Sequence, residues 1–145
     1  MKFSKKSRYG VAALIDLAVN SKNGHVALGS IAERNEISPQ YLEQVFASLR
    51  RAGIVKSVKG SQGGYLLKYP SSSITVASII QALEGTYYLD DEETKTEESA
   101  AGIAETIQED IVDRVNHGLD QILQNLTLAD LEESFQERRS GGQEM

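Results

Sequence analysis

Between Ser38 and Arg51 the apolar residues Leu42, Val45, Phe46 and Leu49 recur at three- and four-residue steps. That spacing gathers them on one face of a helix. Gln40, Tyr41, Glu43, Gln44, Ser48 and Arg51 fall largely off that face. Ser38 suits the N-cap, where its hydroxyl accepts an unpaired backbone N–H, and Pro39 suits the first helical position, where no N–H is needed. Gly53 predicts the stop. The period then changes to two: Ile54, Lys56 and Val58 face one way, Val55 and Ser57 the other. Gly60-Ser61-Gln62-Gly63-Gly64 turns the chain back, because glycine accepts positive φ. Tyr65 to Tyr69 returns as a second strand.

Upstream, Tyr9 to Val19 is densely apolar (Val11, Leu14, Ile15, Leu17, Ala18) and predicts a largely buried helix. Met1 to Arg8 reads as a basic tail, either simply solvated or, because its charges immediately precede a helix, placed for phosphate contact. Leu28 to Glu36 predicts a short helix with Ile31 and Ala32 inward, and Asn35 is the residue suited to a left-handed turn. Leu28 to Arg51 is then a complete helix-turn-helix, the second helix reading and the first supporting. Downstream, Thr75 caps a helix over Val76–Gly85, and Tyr87–Ser99 is acidic with little periodicity. From Ala100 to Asn125 a stripe of Ile103, Ile107, Ile111, Val115, Leu119 and Ile122 predicts one long helix. At about 26 residues it spans roughly 39 Å, more than a small domain requires. The expectation is a homodimer through this stripe; the alternative is a stripe that packs on its own domain. Thr127 to Asp130 resembles a capping box for a short helix through Phe135. The predicted division is 1–85, a winged helix-turn-helix; 86–99, an acidic flexible loop; 100–136, a dimerisation helix and short terminal helix; 137–145, a disordered tail. The fold class is mainly α with a small β-hairpin wing.

Charge sharpens this picture. The net charge of −6 argues against a nucleic-acid partner. Through Tyr69, however, 11 Lys and Arg face 4 Asp and Glu, a formal +7; beyond it 4 face 17, a formal −13, and the two make the −6. A basic half carrying a helix-turn-helix implies double-stranded DNA, with the helix on base edges and the hairpin on phosphates or the minor groove. A winged-helix protein-interaction module without sequence-specific DNA binding is the alternative. The chain has no cysteine, which excludes disulfides, thiol catalysis and cysteine-ligated metals. His25 and His117 have no ligand partners at defensible spacing, and Asp90 to Glu93 lacks the alternation of a calcium loop. Gly60–Gly64 is no phosphate loop, since no lysine–serine pair follows. Nothing assembles a nucleophile, base and orienter, so neither an enzyme nor a metal site is expected. Asp16 interrupts the first apolar run and no run reaches spanning length, so the expectation is a cytoplasmic protein without a membrane partner.

The chain resembles the Rrf2 family of bacterial winged helix-turn-helix regulators. The resemblance rests on Lys6-Ser7-Arg8-Tyr9-Gly10, on Tyr41-Leu42-Glu43-Gln44 with Leu49-Arg50, and on Val58-Lys59-Gly60 with Gly63-Gly64-Tyr65. It runs from Lys2 to about Gly85 and returns at Thr127-Leu128-Ala129-Asp130-Leu131. It implies a homodimeric regulator, a repressor, on a palindromic operator, with the Ala100–Asn125 helix at the dimer interface. It also implies DNA contact by Ser38, Pro39, Gln40, Tyr41, Glu43 and Gln44 in the major groove. Lys59, Gly60, Ser61, Gln62 and Gly63 would form the wing tip, and Lys6, Arg8 and Tyr9 would hold the backbone. Two departures stand out: Ser7 replaces a glycine usual in the family, and the three cysteines of cluster-binding members are absent. That places the chain nearer the cluster-free members, such as the cysteine-metabolism repressor. It implies no iron–sulfur cofactor and leaves the signal to a regulatory protein or a small-molecule effector.

Overall fold

The structure is a computed structural model and describes residues 3–89 and 101–143. In chain order these form α1 (Lys5–Asn20), α2 (Leu28–Asn35), α3 (Pro39–Arg51), β1 (Val55–Val58) and β2 (Gly64–Leu67). A 3₁₀ turn at Ser71–Ser73 leads into α4 (Val76–Glu84). A long rod follows: α5 (Ala101–Ile107), a π-helical segment (Gln108–Asp113) and α6 (Arg114–Asn125). Then comes α7 (Leu128–Gln143). The two strands pair antiparallel, Val55 opposite Leu67 and Val58 opposite Gly64. Val26 adds a one-residue third rung by exchanging backbone bonds of 3.0 and 2.9 Å with Tyr65.

The main core joins α1, α2, α3, α4 and the hairpin through Leu14, Leu17, Ile31, Leu42, Phe46, Leu49 and Ile79, all fully buried. Each such side chain contributes about 1.5–3 kcal/mol relative to exposure. The helical spacing that predicts α3 is therefore the spacing that seats it. Gly10 permits close packing of α1 on α4, since a Cβ there would lie 2.4 Å from Leu83 Cδ1. A second cluster of Val76, Ala77, Ile80 and Tyr87 packs against Leu119, Leu123, Leu126 and Leu131, and ties α4 to α6 and α7.

Several expectations change. α1 starts at Lys5, capped by the Ser4 hydroxyl, which accepts from the Ser7 N–H at 3.3 Å. Lys6 and Arg8 thus ride on a helix and not on a tail, while Lys2 lies outside the described residues. The left-handed residue after α2 is Glu36 (φ 53°), not Asn35. The Asn35 amide is engaged elsewhere, donating to Ile31 O at 2.8 Å and Asp16 Oδ2 at 3.0 Å. Ser48, placed off the apolar face by its spacing, is buried. Tyr87 is also buried, so the near end of the acidic stretch is held in place; residues 90–99 of that stretch lie outside the described residues. α7 does not stop near Phe135 but runs to Gln143, so most of the expected 137–145 tail is helical. Its Glu, Gln and Arg residues are good helix formers. Thr127 and Asp130 close a reciprocal capping box at 3.0 and 3.2 Å.

The rod is not a uniform α-helix. At 3.6 residues per turn, each four-residue step overshoots a full turn by about 40°, so a stripe stepping by four winds around the rod. The wider π turn takes more residues per rotation and slows that winding. Ile103, Ile107, Ile111 and Val115 are all exposed, while Leu119 packs on the second cluster.

Candidate nucleic-acid interface

The conformation of α3 is set by its own first residues. Ser38 accepts the Tyr41 N–H at 3.3 Å, and Pro39 occupies the first turn. Gln40, Glu43 and Gln44 are exposed and stand at i, i+3 and i+4 on the face away from the core. Tyr41 is half-buried and meets Tyr9 of α1 edge to face, with centroids 5.7 Å apart. That contact braces α1 against the start of α3. Lys6 meets α3 further along, its Nζ 3.5 Å from Ser48 Oγ. Arg8 is exposed, its guanidinium 5.3 Å from the Phe3 ring centre.

The wing stands across from α3. Lys59, Gly60, Ser61 and Gln62 are exposed and Gly63 is half-buried. Gly60 has φ 122°, and a Cβ on Gly63 would lie 2.2 Å from Val58 O, so no other residue closes this turn unchanged. A groove of about 480 Å³ separates helix and wing. Its walls include Glu43, Ala47 and Arg50 from α3, and Ser57, Gly60, Ser61 and Gly63 from the hairpin. An α-helix with its side chains is about 10–12 Å wide and fits a major groove of about 12 Å.

Two residues here were missed by sequence reasoning. Arg50 lines the groove with Glu43, and the signal was present in their i, i+7 spacing. His25 has a ring nitrogen 2.5 Å from the Gln62 carbonyl, which can only accept, so that nitrogen carries the proton. His25 thereby anchors the wing tip to the loop before α2. Nothing in local spacing points to it, because the contact joins residues far apart in sequence.

The predicted dimer stripe is open to solvent: Ile103, Ile107, Ile111, Val115 and Ile122 are 41–66 % exposed. Leu119 departs from that set, being half-buried within its own chain.

This arrangement of a capped helix, the helix before it and a two-stranded wing defines a winged helix-turn-helix regulator. The Rrf2 family, described as iron-dependent transcriptional regulators, matches residues 3–134, and the chain belongs to it. The regulator IscR of Yersinia enterocolitica is 38% identical over 135 residues, covering 90% of this chain and 79% of that protein. Among solved structures, CymR, the global cysteine regulator of B. subtilis, superimposes with a TM-score of 0.77 at 36% identity. That match covers 92% of this chain and 98% of CymR. IscR of T. potens gives 0.72 at 39% identity, over 95% and 90% of the two chains. The chain is a DNA-binding transcriptional regulator and not an enzyme. The family description names iron, but the residues do not fit a cysteine-ligated cluster. The chain has no cysteine, and no three His, Asp or Glu side chains gather as a metal site among the described residues. No described helix is long and apolar enough to cross a membrane.

Proposed function

We propose that the chain is a cytoplasmic, homodimeric repressor that binds a palindromic operator without an iron–sulfur cofactor. The observation that carries this reading is the exposed row Gln40, Glu43 and Gln44 facing out of a capped helix, with a glycine-built wing across the groove. Glu43 can accept from a cytosine amine, and Gln40 or Gln44 can pair with adenine. Arg50 can address guanine or phosphate. Ser38, Pro39 and Tyr41 approach the duplex with the first turn of α3, while Lys6, Arg8 and Tyr9 hold its backbone. The wing tip, Lys59 to Gly63, reaches phosphate or the minor groove. The open stripe of the rod pairs with a second copy, because two-fold symmetry matches a two-fold operator. A regulatory protein or small-molecule effector supplies the signal.

Glu43→Ala tests the readout. Binding to operators substituted one base pair at a time should lose about 1–3 kcal/mol of discrimination at one position of each half-site. Equal weakening at every sequence would remove Glu43 from base reading.

A further inference from the structure

Asn116, Asp120 and Gln124 stand four apart on α6 and so form one line along its surface. All three bond the short segment that follows α4. Asn116 Oδ1 accepts the Leu89 N–H at 2.8 Å. Asp120 Oδ1 accepts the Tyr87 hydroxyl, and both Asp120 oxygens lie 2.8 Å from the Tyr88 hydroxyl. Gln124 Nε2 donates to the Tyr87 hydroxyl oxygen at 3.3 Å. The Tyr87 ring is buried against α4 and α6 residues, and the two tyrosine rings are 4.9 Å apart. Two phenols donating to one carboxylate make charge-assisted bonds, stronger than neutral ones.

A second attachment lies at the far end of α6. There Val76 N–H donates to Leu126 O at 2.7 Å, and Leu128 N–H donates to Ile74 O at 2.8 Å. The Asp120 grip and the Leu126 attachment are roughly 9 Å apart along the helix axis. These two points, with Leu119 and Leu123 packed on the second cluster, fix the direction of the rod. On the other side of Asn116, no described side chain of the rod hydrogen-bonds another element. That free stretch, back to Ala101, is roughly 22 Å long and carries the exposed stripe.

We infer that Asp120, gripped by Tyr87 and Tyr88, is a positioning residue that sets the angle between the DNA-reading unit and the dimer rod, and thereby the half-site spacing the protein accepts. The inference rests on the reading of a dimer on a palindrome. A tilt of about 5° at this grip moves the end of a 22 Å arm by roughly 2 Å. Adding one base pair between half-sites moves a reading helix by roughly 3.4 Å along the duplex. Each base pair also turns the half-site by roughly 35° about the duplex axis, so freedom at the joint offsets part of the translation and little of the turn.

The test uses the full chain and the palindrome it retains from genomic DNA, with versions lengthened or shortened by one central base pair. Affinities are measured for the wild type, Tyr87→Phe/Tyr88→Phe, and Asp120→Asn, together with binding to a single half-site. The wild type should prefer its own spacing, and both variants should reduce that preference by about fivefold or more, within the usual range of coupling. Half-site affinity should not change. An unchanged spacing preference, or a uniform loss at all spacings, would overturn the positioning role. A wild type that favours no palindrome at all would defeat the reading of a dimer on a palindrome, a different and recognisable failure. Tyr88→Phe alone, at an exposed ring, asks the same question without disturbing the buried cluster.

Discussion

Ser7 is fully buried, and its hydroxyl donates to Glu84 Oε1 at 2.6 Å, beside a further bond from the Ser4 hydroxyl to the same oxygen. These bonds tie the first turn of α1 to the last turn of α4. The Ser4 bond first, then the Ser7 bond, hold the Glu84 carboxyl below its ordinary range. A carboxylate with a lowered folded pKa adds stability above its unfolded pKa and loses it as pH falls through the folded value. Urea midpoints followed from neutral to acid should therefore fall more steeply below about pH 4.3 in the wild type than in Glu84→Gln. Parallel curves would contradict the tie. A serine at position 7 was visible in the sequence; its acceptor, Glu84 on α4, was not. Glu36 makes the converse case. Asparagine was the natural choice for the left-handed position, but Asn35 is committed to Asp16 and Ile31. Glu36 adopts φ 53° instead. Glu36→Gly removes a strain of about 1–2 kcal/mol, partly offset by the entropy of glycine. A net gain of roughly 0.5–1 kcal/mol in denaturant unfolding is expected.

Elements were legible where one local rule decided them. α3 has its cap, its proline, its apolar face and its Gly53 stop within sixteen residues. The wing was legible from its glycines, and the structure adds the reason: Gly63 and Gly64 lie against the carbonyls of Val58 and Val26. Gly63→Ala should displace the wing tip and weaken DNA binding while leaving most of the core's thermal stability intact. Lys59→Ala should weaken binding across sequences and lower the salt slope by about one unit. An unchanged slope would remove Lys59 from the phosphate contacts. The π segment was not legible, because side-chain pattern does not report which backbone carbonyl each N–H selects. The length of α7 was missed for a related reason. Its exposed charged turns carry no apolar period beyond Phe135, and helix propensity with a sound cap suffices.

At the scale of the molecule, the acidic half carries a rod whose apolar stripe is exposed among the described residues. The proposed dimer gives that stripe its cover and brings two reading helices onto one duplex. Ile107→Asp with Ile111→Asp should yield a monomer in sedimentation, with the winged unit still folded. Palindrome affinity should then drop by about 10²–10⁴, the usual gain from joining two sites. Full dimerisation of that variant would place the interface elsewhere. In the proposed complex, the charge asymmetry, a formal +7 before Pro70 and −13 after it, would turn the acidic rod away from the duplex and the basic half toward it. The most direct test of the account is to pass sheared genomic DNA over the purified protein at moderate salt and sequence what is retained. The account predicts a recurring palindrome with half-sites one helical turn, about 34 Å, or a multiple apart. Uniform recovery of all sequences would contradict it, leaving a basic surface without a reading helix.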